Sequence, residues 1–452
     1  MHLRTLSAAA LLLLAGCAAH APAPAPEPAA AGQPVDRIVP FGDYHTHLFT
    51  AAAVARVRPA PLPAVEMPAQ LVPLLRERER LWNDPVGLAA LYTEGSIAFT
   101  SRSGNWIQGR AAVGEHIGTL FARQYRITPS AVEVNDSAGF IAGYFTREIE
   151  TGTRRFGYAH LSLRREADGA WRIAGETASF PGPESAEAML PERLVALMDA
   201  GGIRKALVLS TAYWFGNEGE VVQEGEYEKV RAENDWFAEQ VARFPDRLVG
   251  FCSLNPLKDY AVEEVARCAA NPHLQGLKLH FGNSRVDLRN PRHVEKARAV
   301  FAAADRHRLP IVVHLMTPDT SYGREHSEIF LREIVTAAPD IAIQIAHMAG
   351  SGPYYNNDAA FAYFAEAAEA GDPRMRNVWT DVATVVTLDA NQDLAIIARR
   401  LRQFGLERVL YASDTPAGAE YTPELGWLYF RRLPLTDAEF RAIADNVSPA
   451  LR

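Results

Sequence analysis

The chain has 452 residues, 48% of them hydrophobic and 22% charged, with a formal net charge of −8. That is an ordinary globular balance, with no basic footprint for nucleic acid and no long block of one charge sign. The length suits two or three domains, or one barrel of roughly 250 residues with an addition.

The N-terminus reads as a targeting segment. Arg4 precedes an apolar run at residues 8–14, which leads into Leu14-Ala15-Gly16-Cys17. The run falls short of the roughly 20 apolar residues that span a bilayer, and it fits the core of a signal peptide. The small residues before Cys17 resemble a bacterial lipobox. By that resemblance residues 1–17 are a lipoprotein signal with its lipobox, and Cys17 is lipidated. Ala18 in place of an aspartate then favours the outer membrane, facing the periplasm. An ordinary signal peptide, with Cys17 discarded, is the alternative. Several acyl chains, at about 0.8 kcal/mol per buried CH2, would anchor the protein firmly. Residues 18–34 are nearly all Ala and Pro, a semi-rigid tether without a core. Two cysteines remain, Cys252 and Cys268. An oxidising compartment would let them pair. Because one falls on an expected strand and the other on the next helix, two buried free thiols are expected.

The first strand is expected at 37–44 (RIVPFGDY), ending in His45-Thr46-His47. Residues 66–182 then follow a different pattern. Helical segments are expected at 71–82, 86–92 and 111–121. Alternating strands follow at 130–134, 138–150, 154–166 and 170–180, the last two joined by a tight turn at Asp168-Gly169. Helices followed by antiparallel strands are an α+β signature, so an inserted domain is expected. A helix at 191–200 opens the rest of the chain. Short apolar strands then recur at 205–210 (KALVLS), 248–254 (LVGFCSL), 275–280 (QGLKLH), 309–315 (LPIVVHL), 341–348 (IAIQIAHM), 378–386 (VWTDVATVV) and 408–413 (RVLYAS). Helical stretches such as 227–244 and 293–307 separate most of them. Continuous apolar strands alternating with helices imply a covered parallel sheet, and eight of them suit a (β/α)8 barrel of class α/β over residues 35–65 and 183–452.

Alternate residues of a strand share one face, so His45 and His47 can reach one ion. Alone, that spacing is weak. It gains weight because His314, His347 and Asp414 each follow an apolar strand at the matching end, where barrel active sites lie. Neutral imidazoles with a carboxylate suit zinc or a similar divalent ion.

This order resembles the amidohydrolase superfamily, its second family in particular. The resemblance is carried by His45-Thr46-His47, Gly276-Leu277-Lys278-Leu279-His280, His314, His347 and Ala412-Ser413-Asp414-Thr415-Pro416. It is also carried by residues 234–250 and the closing Asn446-Val447-Ser448-Pro449-Ala450-Leu451. It implies that His45, His47, His314 and Asp414 hold one metal. His347 would bind a second metal or position substrate and water, and Asp414 would serve as general base. Lys278 would be either a carbamate bridging two ions or a substrate-facing or structural amine. His280 lies nearer the mouth and could touch substrate. Loop candidates for the pocket are Arg285, Tyr322, Arg324, His326, Tyr354 and Tyr355, with Arg285 or Arg324 suited to gripping a carboxylate.

The insert resembles the ketosteroid-isomerase-like, or nuclear-transport-factor-2-like, cone. Residues 138–144 (AGFIAGY), Phe156-Gly157-Tyr158 and 168–173 (DGAWRI) carry that likeness. Tyr144 and His160 would line its pocket or belong to its aromatic core. Binding or homodimerisation suits it better than separate catalysis. Because it leaves the barrel just after the first strand, it is expected to overhang the site.

The first expectation is therefore a hydrolase of a small-molecule amide, lactone or ester, using a metal-activated water. The second is a metal-dependent decarboxylase of a small aromatic or unsaturated acid. The third is a non-enzymatic ligand-binding lipoprotein. An extracytoplasmic position weighs against the second, and the intact set of five polar residues against the third.

Overall fold

Eight short strands pair in parallel and in strict chain order: β1 (Gly42–His47), β2 (Lys205–Leu209), β3 (Leu248–Ser253), β4 (Leu274–His280), β5 (Ile311–His314), β6 (Ile343–Ile345), β7 (Val378–Asp381) and β8 (Val409–Leu410). The two ends of the sheet also meet. Tyr44 N–H donates to Tyr411 O at 3.0 Å, Asp414 N–H to His45 O at 2.8 Å and His47 N–H to Thr415 O at 2.8 Å. This is the expected (β/α)8 barrel. The computed structural model describes residues 38–50, 63–100, 106–118, 124–148, 154–179, 188–217, 219–317, 319–354, 357–386, 392–416 and 422–451. Cys17, the Ala/Pro tether and Tyr355 lie outside the described residues.

The apolar runs are buried on both faces, as their composition requires. Val208, Leu277, Val313 and Ile345 face an outer layer shared with the helices. Leu207, Leu209, Val249, Phe251, Val312 and Leu410 fill the interior, and Ala450 and Leu451 pack against it from below. The interior is therefore an apolar floor, which leaves the C-terminal ends of the strands for polar groups. Among the described residues no helix is long and apolar enough to cross a membrane.

Residues within 66–182 build a second sheet of six strands. Its spatial order is Ile107–Gln108, Tyr92–Thr100, Trp171–Ser179, Arg154–Arg165, Ala138–Glu148 and Gln124–Val134. Only the pairing of Tyr92–Thr100 with Trp171–Ser179 is parallel. Ile141, Phe145, Leu161 and Ile173 form one face, whose core also takes Leu74, Leu88 and Ile117 from the helices Val72–Arg80, Pro85–Ala89 and Arg110–Gly118. Buried within it, Arg78 pairs with Glu176, which also accepts from the Tyr92 hydroxyl.

Two strands of the insert differ from expectation. The stretch expected as helix 86–92 ends its helix at Ala89, and Tyr92 begins a strand. A register slip between Tyr92 and Ile97 accommodates Thr93-Glu94-Gly95-Ser96 within that strand. The strand expected from 130 begins at Gln124. Pro129 looks like a break, yet it sits on an edge strand at a bulge, where a missing N–H is tolerated. Gly143 opposite makes the close approach possible, since a Cβ there would lie 2.1 Å from Thr128 O. Tyr144 and His160 line a groove of about 350 Å³. By strand alternation that groove lies on the face opposite the sheet–helix core, so it is not the interior of the cone, although Tyr144 is buried within it.

Cys252 and Cys268 form a disulfide, so the expectation of two free thiols is corrected. Cys252 points outward from β3 into the layer where the following helix, Ala261–Ala269, packs, and Cys268 faces it from the helix's buried side. Strand and helix are thus the two walls of one contact, with Cα atoms 6.3 Å apart.

Candidate metal centre

The site begins with an irregularity in β1. The register against β2 slips between Asp43 and Thr46. Such a bulge re-aims the side chains around it. Tyr44 joins the interior floor, while His45 and His47 both stand above it, 1% and 4% exposed. Each ring is oriented from behind. His45 Nδ1 donates to Asp381 Oδ2 at 3.1 Å, and His47 Nδ1 donates to Leu209 O at 2.9 Å. The lone pair of each neutral ring is then on Nε2. Both Nε2 atoms approach one oxygen, Asp414 Oδ1, at 3.5 Å and 3.3 Å. His45, His47 and Asp414 form one group with ligand atoms within 4.8 Å of one another.

His347 lies just beyond β6, in a left-handed turn (φ 53°), not on the strand expected to carry it. Its Nδ1 donates to Ala383 O at 2.8 Å, again leaving the lone pair on Nε2, and its ring is 4.8 Å from that of His45. His314 ends β5 as expected. It is not within the three-residue group. Its ring stacks on His280 at 3.8 Å and stands 5.3 Å from His347, and its buried Nδ1 has no hydrogen-bond partner among the described residues. That orphaned nitrogen is a donor atom still available to a ligand. His280 Nδ1 accepts from Asn283 N–H at 3.1 Å, which puts its hydrogen on Nε2 and makes it a hydrogen-bond donor to whatever enters.

Burial dominates the electrostatics. It holds His45, His47, His280 and His314 below the ordinary imidazole value, and the Lys278 charge adds to this at each, at His314 after those of His280 and His347. Burial would raise the Asp414 carboxyl, but His45, His47 and His347 outweigh it and hold the group well below its usual range. Neutral imidazoles beside an ionised carboxylate are the protonation states that a metal ion requires of its ligands. The donor set thus fits a divalent metal. It does not single out zinc, because imidazole and carboxylate serve several divalent ions.

Lys278 is 1% exposed and its Nζ lies 2.9 Å from His45 Nε2. Burial lowers its ammonium to about 8 against the pull of Asp414 and Asp381. As an ammonium it competes with a metal for the His45 lone pair. Metal binding there requires Lys278 to lose that hydrogen bond.

Three groups at the site carry no strand-end signal in the sequence. Asp381 ends β7 inside a run that continues apolar through Val382, Ala383, Val385 and Val386. Tyr213 and Trp214 lie on the turn after β2. Tyr213 is buried, with its ring 5.1 Å from His280, and burial together with the Asp414 charge keeps its hydroxyl protonated. Its N–H donates to Ser253 Oγ at 3.1 Å. Trp214 stacks on Phe49 at 5.1 Å, and Phe49 stacks on His47 at 5.8 Å.

The loop candidates are placed differently. Tyr322 is corrected: it packs in the outer core and its hydroxyl donates to Ala349 O at 2.8 Å, so it supports the turn that carries His347. Arg324 pairs with Glu366, His326 with Asp319, and Tyr354 donates to Asp358. Arg285 is exposed on the loop after β4.

The amidohydrolase family model matches residues 183–446. The chain belongs to the amidohydrolase family. This amidohydrolase is 26% identical over 222 residues to a γ-resorcylate decarboxylase from Rhodococcus jostii; the match takes in 41% of this chain and 66% of the relative, just under two thirds of its length. Among solved structures it is similar to a 5-carboxyvanillate decarboxylase from Sphingomonas paucimobilis, with 20% identity, 55% of this chain and 79% of that one covered, and a TM-score of 0.41. It is also similar to a dihydroxybenzoic acid decarboxylase from a Polaromonas species, solved with manganese and an inhibitor, at 19% identity, 57% and 84% coverage and a TM-score of 0.40.

Proposed function

We propose that this protein is a metal-dependent decarboxylase of small aromatic acids, a carbon–carbon lyase and not the hydrolase expected first. The observation that carries the reading is a continuous run of aromatic rings packed against the histidines of the site. Phe49 and Trp214 continue from His47, and Tyr213 continues from the stacked His280 and His314. Flat walls of this kind favour a flat substrate held by offset or edge-on ring contacts. The curated relative, named for loss of CO2 from a dihydroxybenzoate, supports the same choice.

His45, His47 and Asp414 would hold the metal, with His314 and His347 beside them. When bound, a divalent ion supplies charge neutralisation for the substrate's anionic oxygens. The reaction then needs a proton at the ring carbon that bears the carboxylate. The carbon–carbon bond breaks, its electron pair returns to the ring, and CO2 leaves. Asp414, ionised at rest, can take the proton from a ring hydroxyl and return it to carbon. His280 donates from Nε2 to orient a substrate oxygen. The apolar floor excludes water.

The test is a panel of hydroxybenzoic acids beside aryl esters, lactones and amides, run with manganese-loaded and zinc-loaded protein. The proposal expects CO2 and the matching phenol. New acid groups from the esters or amides, without CO2, would restore the hydrolase reading.

The envelope location is also a proposal. The disulfide supports it, since such bonds persist in oxidising compartments. Cys17→Ser should release the protein from membranes, and unchanged fractionation would refute the anchor.

A further inference from the structure

Asp381 is fully buried, and both of its oxygens are occupied. Oδ2 accepts from His45 Nδ1 at 3.1 Å and from Gln344 Nε2 at 2.7 Å. Oδ1 accepts from the backbone N–H of His347 at 2.8 Å and of Ala383 at 3.2 Å. Ligand atoms of Asp381, His45 and His347 lie within 4.8 Å of one another, which by distance alone would suit a second ion. The four hydrogen bonds argue otherwise, because a carboxylate offers about four lone-pair sites and all are taken.

Gln344 shows that the surroundings are arranged for an ionised acceptor. Its amide NH2 serves both Asp381 and Tyr44 O, at 2.7 Å and 2.9 Å, while its own Oε1 is buried without a partner among the described residues. Turning the amide over would satisfy nothing, since it would set oxygen against a carboxylate and a carbonyl.

The other end of Asp381 holds a strained segment. His347, Met348 and Ala349 are successive non-glycine residues with φ of 53°, 51° and 60°. The left-handed region costs such residues roughly 1–2 kcal/mol each. It persists only where the surroundings over-determine it. Here each residue has its own restraint. Asp381 takes the N–H of His347, Asn357 Nδ2 donates to Met348 O at 2.9 Å, and Tyr322 donates to Ala349 O at 2.8 Å.

We propose that Asp381 is the positioning residue of the metal centre, acting through two histidines at once. It fixes the tautomer of His45, so that the Nε2 lone pair faces the ion, and it anchors the left-handed turn that aims His347. It ties β1, β6 and β7 together at the height of the site. A partner behind a ligating histidine changes metal affinity by about 10–100-fold. The inference rests on the metal-centre reading of His45.

The experiment uses the full-length protein and manganese alone as the probe. Manganese affinity is measured by calorimetry or chelator competition for the wild type and for Asp381→Asn. Asparagine would offer an N–H to His45 Nδ1, which favours the opposite tautomer. Affinity should fall about 10–100-fold while circular dichroism stays that of the folded barrel. Tyr322→Phe releases one restraint on the turn but leaves His45 untouched. It should therefore leave manganese affinity within about twofold and lower kcat, a split that general loosening of the fold would not give. If Asp381→Asn does not fold, Lys278→Met decides, because it removes the other donor that holds the His45 hydrogen on Nδ1, and the NMR measurement is made on that protein. Nitrogen NMR of the metal-free protein, with His45 assigned by His45→Asn, should find the hydrogen on Nδ1. A hydrogen on Nε2, or equal affinity in Asp381→Asn and wild type, overturns the inference. Wild type that binds no manganese overturns the metal-centre reading instead.

Discussion

Phe49 and Met189 exchange backbone hydrogen bonds in both directions, at 3.1 Å and 3.2 Å. The bridge sits two residues beyond His47 and joins the two ends of the inserted segment at one point. Among the described residues, the insert's apolar core shares none with the barrel's. Replacing residues 51–187 with a short Gly/Ser linker should therefore leave a barrel that unfolds cooperatively. If the insert covers the mouth, the shortened protein should accept bulkier acids than the full chain does. Thermal unfolding and a size series of substrates check both. A barrel that does not fold would show that the two cores are interdependent, and unchanged selectivity would show that the insert does not restrict entry.

Tyr213 presents the one phenol whose charge neighbours include Asp414 among the residues placed at the mouth here. Tyr213→Phe keeps the ring against His280 and removes only the hydroxyl. A hydrogen bond of about 1.4 kcal/mol corresponds to tenfold, so kcat/KM should fall about tenfold with little change in unfolding temperature. Steady-state kinetics on the best substrate of the panel measure it, and unchanged kinetics would reduce Tyr213 to a packing residue.

The metal-free protein should lose stability in mild acid. His45, His47, His280 and His314 have folded values below the ordinary one, first because of burial. The stability that these neutral rings contribute is complete above their unfolded value near 6.5 and is lost as pH falls below it toward the folded values. Asp43 and Glu233 act in the opposite sense. Burial raises each to about 7, so their contribution is complete near pH 4 and lost as pH rises through 7. With four imidazoles against two carboxyls, unfolding temperature should drop between pH 6.5 and 5, and added manganese should protect more at pH 7 than at pH 5. A flat profile would contradict the buried neutral rings.

The disulfide closes a loop with a sequence separation of 16. Loops of about that length give roughly 3 kcal/mol by restricting the unfolded chain. Cys252→Ala with Cys268→Ala should lower unfolding free energy by about 2–3 kcal/mol in denaturant titration. Thiol titration of the unreduced, denatured protein should find neither cysteine free.

The candidate site was legible because chemistry interrupts a simple pattern. His45, His47, His280, His314 and Asp414 each break an apolar strand at its mouth end, and the barrel geometry does the rest. Asp381 breaks its strand in the same way, but Val382 to Val386 continue the apolar run and conceal where the strand stops. The left-handed turn at His347 had no local signal, since Ala-His-Met-Ala contains neither glycine nor asparagine. Asp381, Asn357 and Tyr322 impose it from distant parts of the chain. Tyr213 belongs to a short turn with no periodicity to read. The pairing of Cys252 with Cys268 is not legible in the sequence, because strand and helix assignments alone do not show that the two face each other across one contact.

On the reading proposed above, His45, His47 and Asp414 share one divalent ion. Anomalous diffraction from crystals grown with manganese tests it most directly. One peak bounded by His45 Nε2, His47 Nε2 and Asp414 Oδ1 is expected, absent from crystals of His47→Ala with Asp414→Asn. No peak at those atoms in the wild type, with manganese bound elsewhere or not at all, would rule out a shared site.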